Sequence, residues 1–116
     1  MKLGICVGLD CIQEMPRKFQ TMRDNGFDTC QLISWSASFY TPEYLEAISK
    51  LLDEYDITVS AFWAGWEGPA VWDLYEGQRT LGLVPLEFRQ MRIQNLCDGA
   101  DFAKQLGITD VVTHMG

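Results

Sequence analysis

Four short runs of apolar and β-branched residues recur along the chain and predict β-strands. They span residues 2–7, 29–33, 58–62 and 110–113. The runs are nearly continuous in apolar character and do not alternate with polar residues, which is typical of strands that are covered on both faces. The pattern therefore favours a parallel sheet.

Helical periodicity fills the first interval between strands. It predicts a helix over residues 15–25, with Pro16 in the first turn, where its missing N–H is not needed. Phe19 and Met22 form one apolar face of this helix. The helix is expected to end at Asn25-Gly26, because glycine adopts the left-handed conformation without steric cost.

Two further helices are predicted. The second begins after Thr41, which can cap it, with Pro42 at the first helical position and Glu43 near the positive end of the helix dipole. Its apolar residues recur every three or four positions, at Leu45, Ile48, Leu52 and Tyr55. The third helix covers residues 86–106. Its inner face is predicted to consist of Leu96, Ala100, Ala103 and Leu106.

The resulting order, β-α-β-α-β-α-β, implies a parallel sheet with right-handed crossovers. A doubly wound dinucleotide-binding sheet should carry Gly-x-Gly-x-x-Gly after its first strand, and no such spacing follows residues 2–7. We therefore expect an α/β fold of the (β/α)8 TIM barrel type, of which this chain supplies about the first four βα units. Residues 1–116 are interpreted as a single domain, the amino-terminal half of the barrel.

The length of the chain sets a limit on this interpretation. A complete barrel needs about 250 residues, and the sequence has 116. We expect a truncated barrel, because a half-barrel leaves two open parallel sheet edges that invite pairing with other chains. A half-barrel that completes itself as a homo-oligomer, in the simplest case a dimer, is the alternative.

Charge and composition exclude several classes of function. The net charge of −7 and the pI of about 4.5 disfavour nucleic acid as a partner, because phosphates are met by clustered Lys and Arg. No apolar run approaches the roughly 20 residues of a membrane span, and the apolar run at the amino terminus is too short for a secretory signal. The four cysteines form no Cys-x-x-Cys pair, and structural, reduced thiols agree with a cytoplasmic protein.

The only histidine, His114, falls at the predicted end of the fourth strand. Sites in barrels lie on the loops at the carboxyl ends of the strands, so His114 is a candidate for substrate binding. A polar residue that merely ends a strand is the alternative. One histidine does not make a metal site, because zinc or manganese needs about three or four donors.

A long connection follows the third strand and runs to about residue 85, well beyond the roughly 2–6 residues usual for a βα loop. It begins with Trp63, Trp66 and Glu67. Aromatic faces suit the apolar C–H faces of sugars, and a carboxylate accepts hydrogen bonds from hydroxyl groups. The alternative is a lid over the barrel mouth or a subunit contact. Trp35, which follows the second strand, is a further candidate, with a buried anchoring indole as its alternative.

Several short motifs together resemble the xylose isomerase-like superfamily of TIM barrels. They are MKLGI at residues 1–5, GFD at 26–28, GITDVV at 107–112 and HMG at 114–116. That superfamily includes sugar and sugar-phosphate isomerases and epimerases. The resemblance implies a parent protein that is a metal-dependent isomerase or epimerase, with a sugar or sugar phosphate as its small-molecule partner. The reaction would be a proton transfer next to a carbonyl.

The same resemblance implies a divalent metal, Mn, Mg, Co or Zn, held by carboxylates and a histidine of the later strands. The catalytic residues are then expected in the missing carboxyl-terminal half, so activity belongs to the parent protein. His114 matches the His-x-Gly of strand four, which is a zinc ligand in the related endonuclease IV and lies near the substrate in sugar-active relatives.

Two alternatives remain at this point. One is a DNA-repair nuclease of the endonuclease IV type, although the histidine that this branch carries after strand three has no counterpart in residues 62–66. The other is a catalytically incomplete half-barrel that acts only in assembly.

Overall fold

Four parallel strands lie side by side in chain order in the computed structural model, which describes residues 2–116. They are β1 (Ile5–Gly8), β2 (Thr29–Ser34), β3 (Thr58–Ala64) and β4 (Val111–Val112). Every neighbouring pair is parallel. The prediction of an α/β fold with the topology of a partial TIM barrel is confirmed.

Helices connect the strands at the predicted places. They are α1 (Met15–Asp24), α2 (Pro42–Glu54), α3 (Gly77–Thr80) and α4 (Leu86–Gln105), with one-turn 3-10 helices at Ile12–Glu14 and Ala37–Phe39. The short helix α3 lies inside the long connection and carries too few residues to show a periodicity in the sequence. None of the helices in residues 2–116 has the length and apolar character that crossing a membrane requires.

Helix α2 begins as its sequence indicates. The Thr41 hydroxyl accepts a hydrogen bond from the backbone N–H of Tyr44 at 3.3 Å, and Pro42 occupies the first turn. Ile48 is fully buried against the sheet. At the end of α1, Gly26 adopts a φ of 81°, which a side chain would make costly.

The hydrophobic core lies between the helices and one face of the sheet. Side chains alternate along β2, so that Cys30, Leu32 and Ser34 are buried towards the helices. The residues between them belong to the other face, where Gln31 pairs in register with Cys6 of β1 and Ala61 of β3. This second face is the one that a closed barrel would enclose.

Three details differ from the sequence prediction. Strand β1 begins at Ile5 and not at residue 2, and Leu3 is 74% exposed. Cys6 lies in the predicted first strand, whose residues were expected to be covered on both faces, yet it is exposed, because it lies on the face of β1 away from the helices.

The third difference concerns helix α4. Its buried residues are Arg92, Asn95, Gly99, Phe102 and Ala103. Ala100 is exposed, whereas Leu96 and Leu106 pack partly buried against the core. The buried stripe continues at helical spacing into the amino-terminal half of α4, where it is polar.

Candidate functional site

The predicted site residues follow three neighbouring parallel strands. Trp35 comes directly after β2, Trp63 and Trp66 lie at the end of β3, and His114 follows β4. Because the carboxyl ends of parallel strands meet at one edge of the sheet, the fold brings these side chains together.

One tryptophan lies at the centre of the resulting group. The ring of Trp35 lies 5.8 Å from that of Trp63, 5.9 Å from that of Trp66 and 6.4 Å from that of Trp72, in each case tilted or edge-on. Trp72 in turn meets the His114 ring edge-on at 4.8 Å. We call these five residues the tryptophan cluster.

The tryptophans of the cluster differ strongly in their exposure to solvent. Trp66 is only 3% exposed, whereas Trp35 is 45% and Trp72 56% exposed. A buried anchoring indole at Trp35 is therefore not what the structure shows. Large aromatic surface left open to solvent beside a histidine forms a wall on which an apolar face of a ligand can rest.

Gly65 allows the ends of β2 and β3 to approach each other. Its N–H donates to the Ser34 carbonyl at 2.7 Å. A Cβ atom at Gly65 would lie 2.6 Å from that oxygen and 2.8 Å from the Cα of Trp35. Only glycine fits here without displacing the backbone, and its lack of a side chain lets Trp35 lie close to Trp63 and Trp66.

The backbone around His114 is tied to the end of β3. The indole Nε1 of Trp66 donates to the His114 carbonyl at 3.0 Å, and the Thr113 hydroxyl donates to the Ala64 carbonyl at 2.7 Å. Two polar side-chain atoms of the tryptophan cluster have no partner within residues 2–116: His114 Nδ1 and Trp63 Nε1 are both buried and form no hydrogen bond there. A buried unpaired donor or acceptor costs about 1–3 kcal/mol.

Arg92, which sequence reasoning missed, lies beneath the long connection. It is fully buried, and its guanidinium donates to four backbone carbonyls of the connection, at 2.6–2.9 Å. The carbonyls belong to Glu67, Pro69, Thr80 and Gly82. Desolvation lowers the pKa of Arg92, yet a guanidinium stays protonated in proteins. The one sequence signal was its position on the continued buried stripe of α4.

Glu67 is held by two side chains of α4 through its backbone groups. Its N–H donates to the Asn95 side-chain oxygen at 3.2 Å, and its carbonyl accepts from Arg92 at 2.9 Å. Its carboxylate is on an exposed residue and makes no hydrogen bond or ion pair in residues 2–116. The structure thus brings together Trp35, Trp63, Trp66 and His114, whereas the Glu67 carboxylate forms no hydrogen bond with them in residues 2–116.

A metal site at this edge of the sheet would need several ligands close together. Within residues 2–116, no three His, Cys, Asp or Glu side chains come together in a way that could hold a metal ion. His114 would be a single donor where about three or four are needed. The part of the chain that the structure describes therefore does not fit a metal site by itself.

Known structures share this fold. The chain matches the crystal structure of the xylose isomerase domain protein from Planctomyces limnophilus with a TM-score of 0.82 and 25% identity, over 98% of this chain and 40% of that chain. It also matches the apo form of the 3-keto-D-glucoside 4-epimerase YcjR from E. coli, with a TM-score of 0.59 and 15% identity, over 95% of this chain and 37% of that chain. No protein-family model and no curated protein sequence matches it.

The parallel sheet, with the candidate residues at the carboxyl ends of its strands, is that of a partial (β/α) barrel. More narrowly, the chain has the fold of the xylose isomerase-like TIM barrels, which confirms the resemblance seen in its motifs. It spans less than half the length of the structures it matches.

Proposed function

We propose that this chain is the amino-terminal part of a sugar isomerase or epimerase and that the tryptophan cluster is one wall of its sugar site. The observation that carries the proposal is the pair of buried, unpartnered nitrogens, Trp63 Nε1 and His114 Nδ1, inside an otherwise aromatic wall. Buried polar atoms in folded proteins almost always have partners. A polyol supplies both the hydroxyl groups that such atoms need and the C–H faces that aromatic rings bind.

Each residue then has a defined task. Trp35 and Trp72, which are about half exposed, bind the apolar face of the sugar. Trp63 Nε1 donates a hydrogen bond to one of its hydroxyl groups, and His114 Nδ1 donates to or accepts from another. Trp72, which meets the His114 ring edge-on, shifts to admit the sugar and stays against its apolar face. These contacts bind and orient the sugar and exclude water from one side of it.

The proton transfer itself belongs to the rest of the parent protein. Carboxylates of later strands would move a proton on the carbon next to the carbonyl, in an aldose–ketose isomerisation or a ketose epimerisation. A divalent ion such as Mn, Mg, Co or Zn, held there, would polarise the carbonyl oxygen. Truncation is part of this proposal, and the short span of the chain relative to the matched structures supports it.

The test is solvent proton exchange catalysed by the full-length protein. Ketoses such as D-fructose and D-xylulose, with their phosphates, are incubated in D2O with Mn2+, and deuterium next to the carbonyl is measured by NMR. We expect incorporation for at least one sugar.

Trp35→Ala should raise KM about tenfold, equivalent to about 1.4 kcal/mol of lost binding free energy, whereas Trp35→Phe should keep KM close to that of the unmodified protein. Tyr75→Phe is the matched control, because Tyr75 is 87% exposed and lies outside the tryptophan cluster. Incorporation into none of the sugars would contradict the proposed reaction.

A further inference from the structure

The long connection between β3 and α4 folds around a single side chain. Its outgoing limb presents the carbonyls of Glu67 and Pro69 to Arg92, at 2.9 Å each. Its returning limb presents those of Thr80 and Gly82, at 2.7 and 2.6 Å. One guanidinium therefore holds both limbs of the segment 66–82 at once.

Backbone carbonyls and two aromatic rings surround the guanidinium of Arg92. No salt bridge in residues 2–116 involves Arg92. Its guanidinium carbon lies 4.0 Å from the centre of the Trp66 ring and 5.1 Å from that of Phe88, both within the range of cation–π attraction. A buried cation is costly unless it is fully hydrogen-bonded, so these partners have to stay in place for Arg92 to remain inside.

The contact with Trp66 continues into the site. The same indole that lies on Arg92 donates through Nε1 to the carbonyl of His114 at 3.0 Å. Arg92 thus holds the face of the Trp66 ring, and the carbonyl of His114 holds its N–H edge. An unbroken series of contacts runs from Arg92 through Trp66 to His114.

We propose that Arg92 is a positioning residue of the sugar site, which acts through Trp66 on His114 and on the whole segment 66–82. The proposal rests on the proposed function for its consequence in catalysis, but its structural part is independent of that function. Arginine is required for geometric reasons: it offers five donors in one plane, whereas lysine offers three from a single atom and no planar face for the indole.

The experiment uses the full-length protein with Arg92→Lys and Arg92→Met. Arg79→Gln is the matched control, because Arg79 lies in the same connection and is exposed, and its side chain forms no hydrogen bond or ion pair in residues 2–116. Three quantities are measured: amide hydrogen exchange of segment 66–82, near-UV circular dichroism of the tryptophans, and KM and kcat for the sugar identified by deuterium incorporation.

For both Arg92 variants we expect faster exchange in segment 66–82 and a weaker near-UV signal. KM should rise about tenfold or more while kcat changes less, because this part of the chain binds the sugar and does not move the proton. Arg79→Gln should leave all three quantities unchanged. A merely structural role would lower the amount of folded protein without raising KM in the fraction that folds.

Trp66→Phe separates positioning from folding. It keeps a ring on Arg92 but removes the N–H donor to His114, so KM should rise with little change in the exchange of segment 66–82. If the Arg92 variants do not fold, an unchanged KM in Trp66→Phe overturns the proposal. An unchanged KM and unchanged exchange in Arg92→Lys overturn it as well. If no sugar is turned over by the unmodified protein, yet the Arg92 variants loosen the segment, the proposed function fails and the structural role of Arg92 stands.

Discussion

Asp73 fixes a turn of the long connection with one carboxylate oxygen. Its Oδ1 accepts hydrogen bonds from the backbone N–H groups of Glu76 at 2.7 Å and Tyr75 at 2.8 Å. These backbone bonds hold the pKa of Asp73 below its usual value of 3.8. A carboxyl group whose pKa is depressed in the folded state stabilises the turn above its unfolded pKa, and this stabilisation disappears as the pH falls through the folded pKa.

We therefore expect the turn at residues 73–76 to be fully formed above about pH 4 and to loosen at lower pH. An NMR titration of the Asp73 side-chain carboxyl carbon, together with the amide shifts of Tyr75 and Glu76, measures this. Asp73→Asn is the control, since its side-chain oxygen still accepts both bonds but does not titrate. A midpoint for Asp73 at or above 3.8 would contradict the assignment.

At the scale of elements, the tryptophan cluster depends on how closely the ends of β2 and β3 approach each other. Gly65→Ala would place a methyl group 2.6 Å from the Ser34 carbonyl oxygen and 2.8 Å from the Cα of Trp35. Both neighbours are backbone atoms, so the two strand ends have to separate. Overpacking of this kind costs about 1–3 kcal/mol.

The measurement is the free energy of unfolding in urea, with near-UV circular dichroism to follow the tryptophans. We expect Gly65→Ala to be destabilised by about 1–3 kcal/mol and to lose much of its near-UV signal. Gly8→Ala in β1 is the matched control, because a Cβ there meets only Lys18 Nζ, at an ordinary 3.8 Å. Equal stability of the two variants would show that the close approach does not matter.

The elements also show what the sequence can and cannot predict. Helix α2 was predictable because its cap, its proline and its apolar stripe are all local signals. The grouping of Trp35, Trp63, Trp66 and His114 was predictable because parallel topology alone brings strand ends together. Trp72 lies further along the connection, and its contact with His114 depends on the path of that connection, which no local signal in the sequence records.

Arg92 and the polar half of α4 escaped prediction for a physical reason. Hydrophobic periodicity identifies a buried face by its apolar residues, whereas Arg92 and Asn95 are buried by bonds to backbone atoms of an irregular segment. No side-chain pattern records the position of those carbonyls. A polar residue in phase with a buried stripe is the only trace that such an arrangement leaves in a sequence.

At the scale of the whole molecule, strands β1 and β4 are the edges of the four-stranded sheet in residues 2–116. A groove of about 400 Å3 lies between β1 and α1, lined by residues that include Ile5, Val7, Met22 and Phe27. Val111 at the other edge is 43% exposed. Unpaired parallel edges with apolar surface beside them associate with further strands, and in a closed barrel those strands come from the same chain.

This predicts the mass of the natural protein. We expect mass spectrometry of the protein from its source cells to give roughly twice 13.2 kDa or more, as a complete barrel of about 250 residues requires. The 116-residue chain, expressed alone and measured by light scattering, should aggregate or be partly unfolded, since both edges stay open.

A natural mass of 13.2 kDa with a stable, discrete dimer would mean that the edges of two copies pair with each other. In that case the site would have to be completed by the partner copy, and proton transfer by carboxylates of later strands would no longer be part of the proposed function.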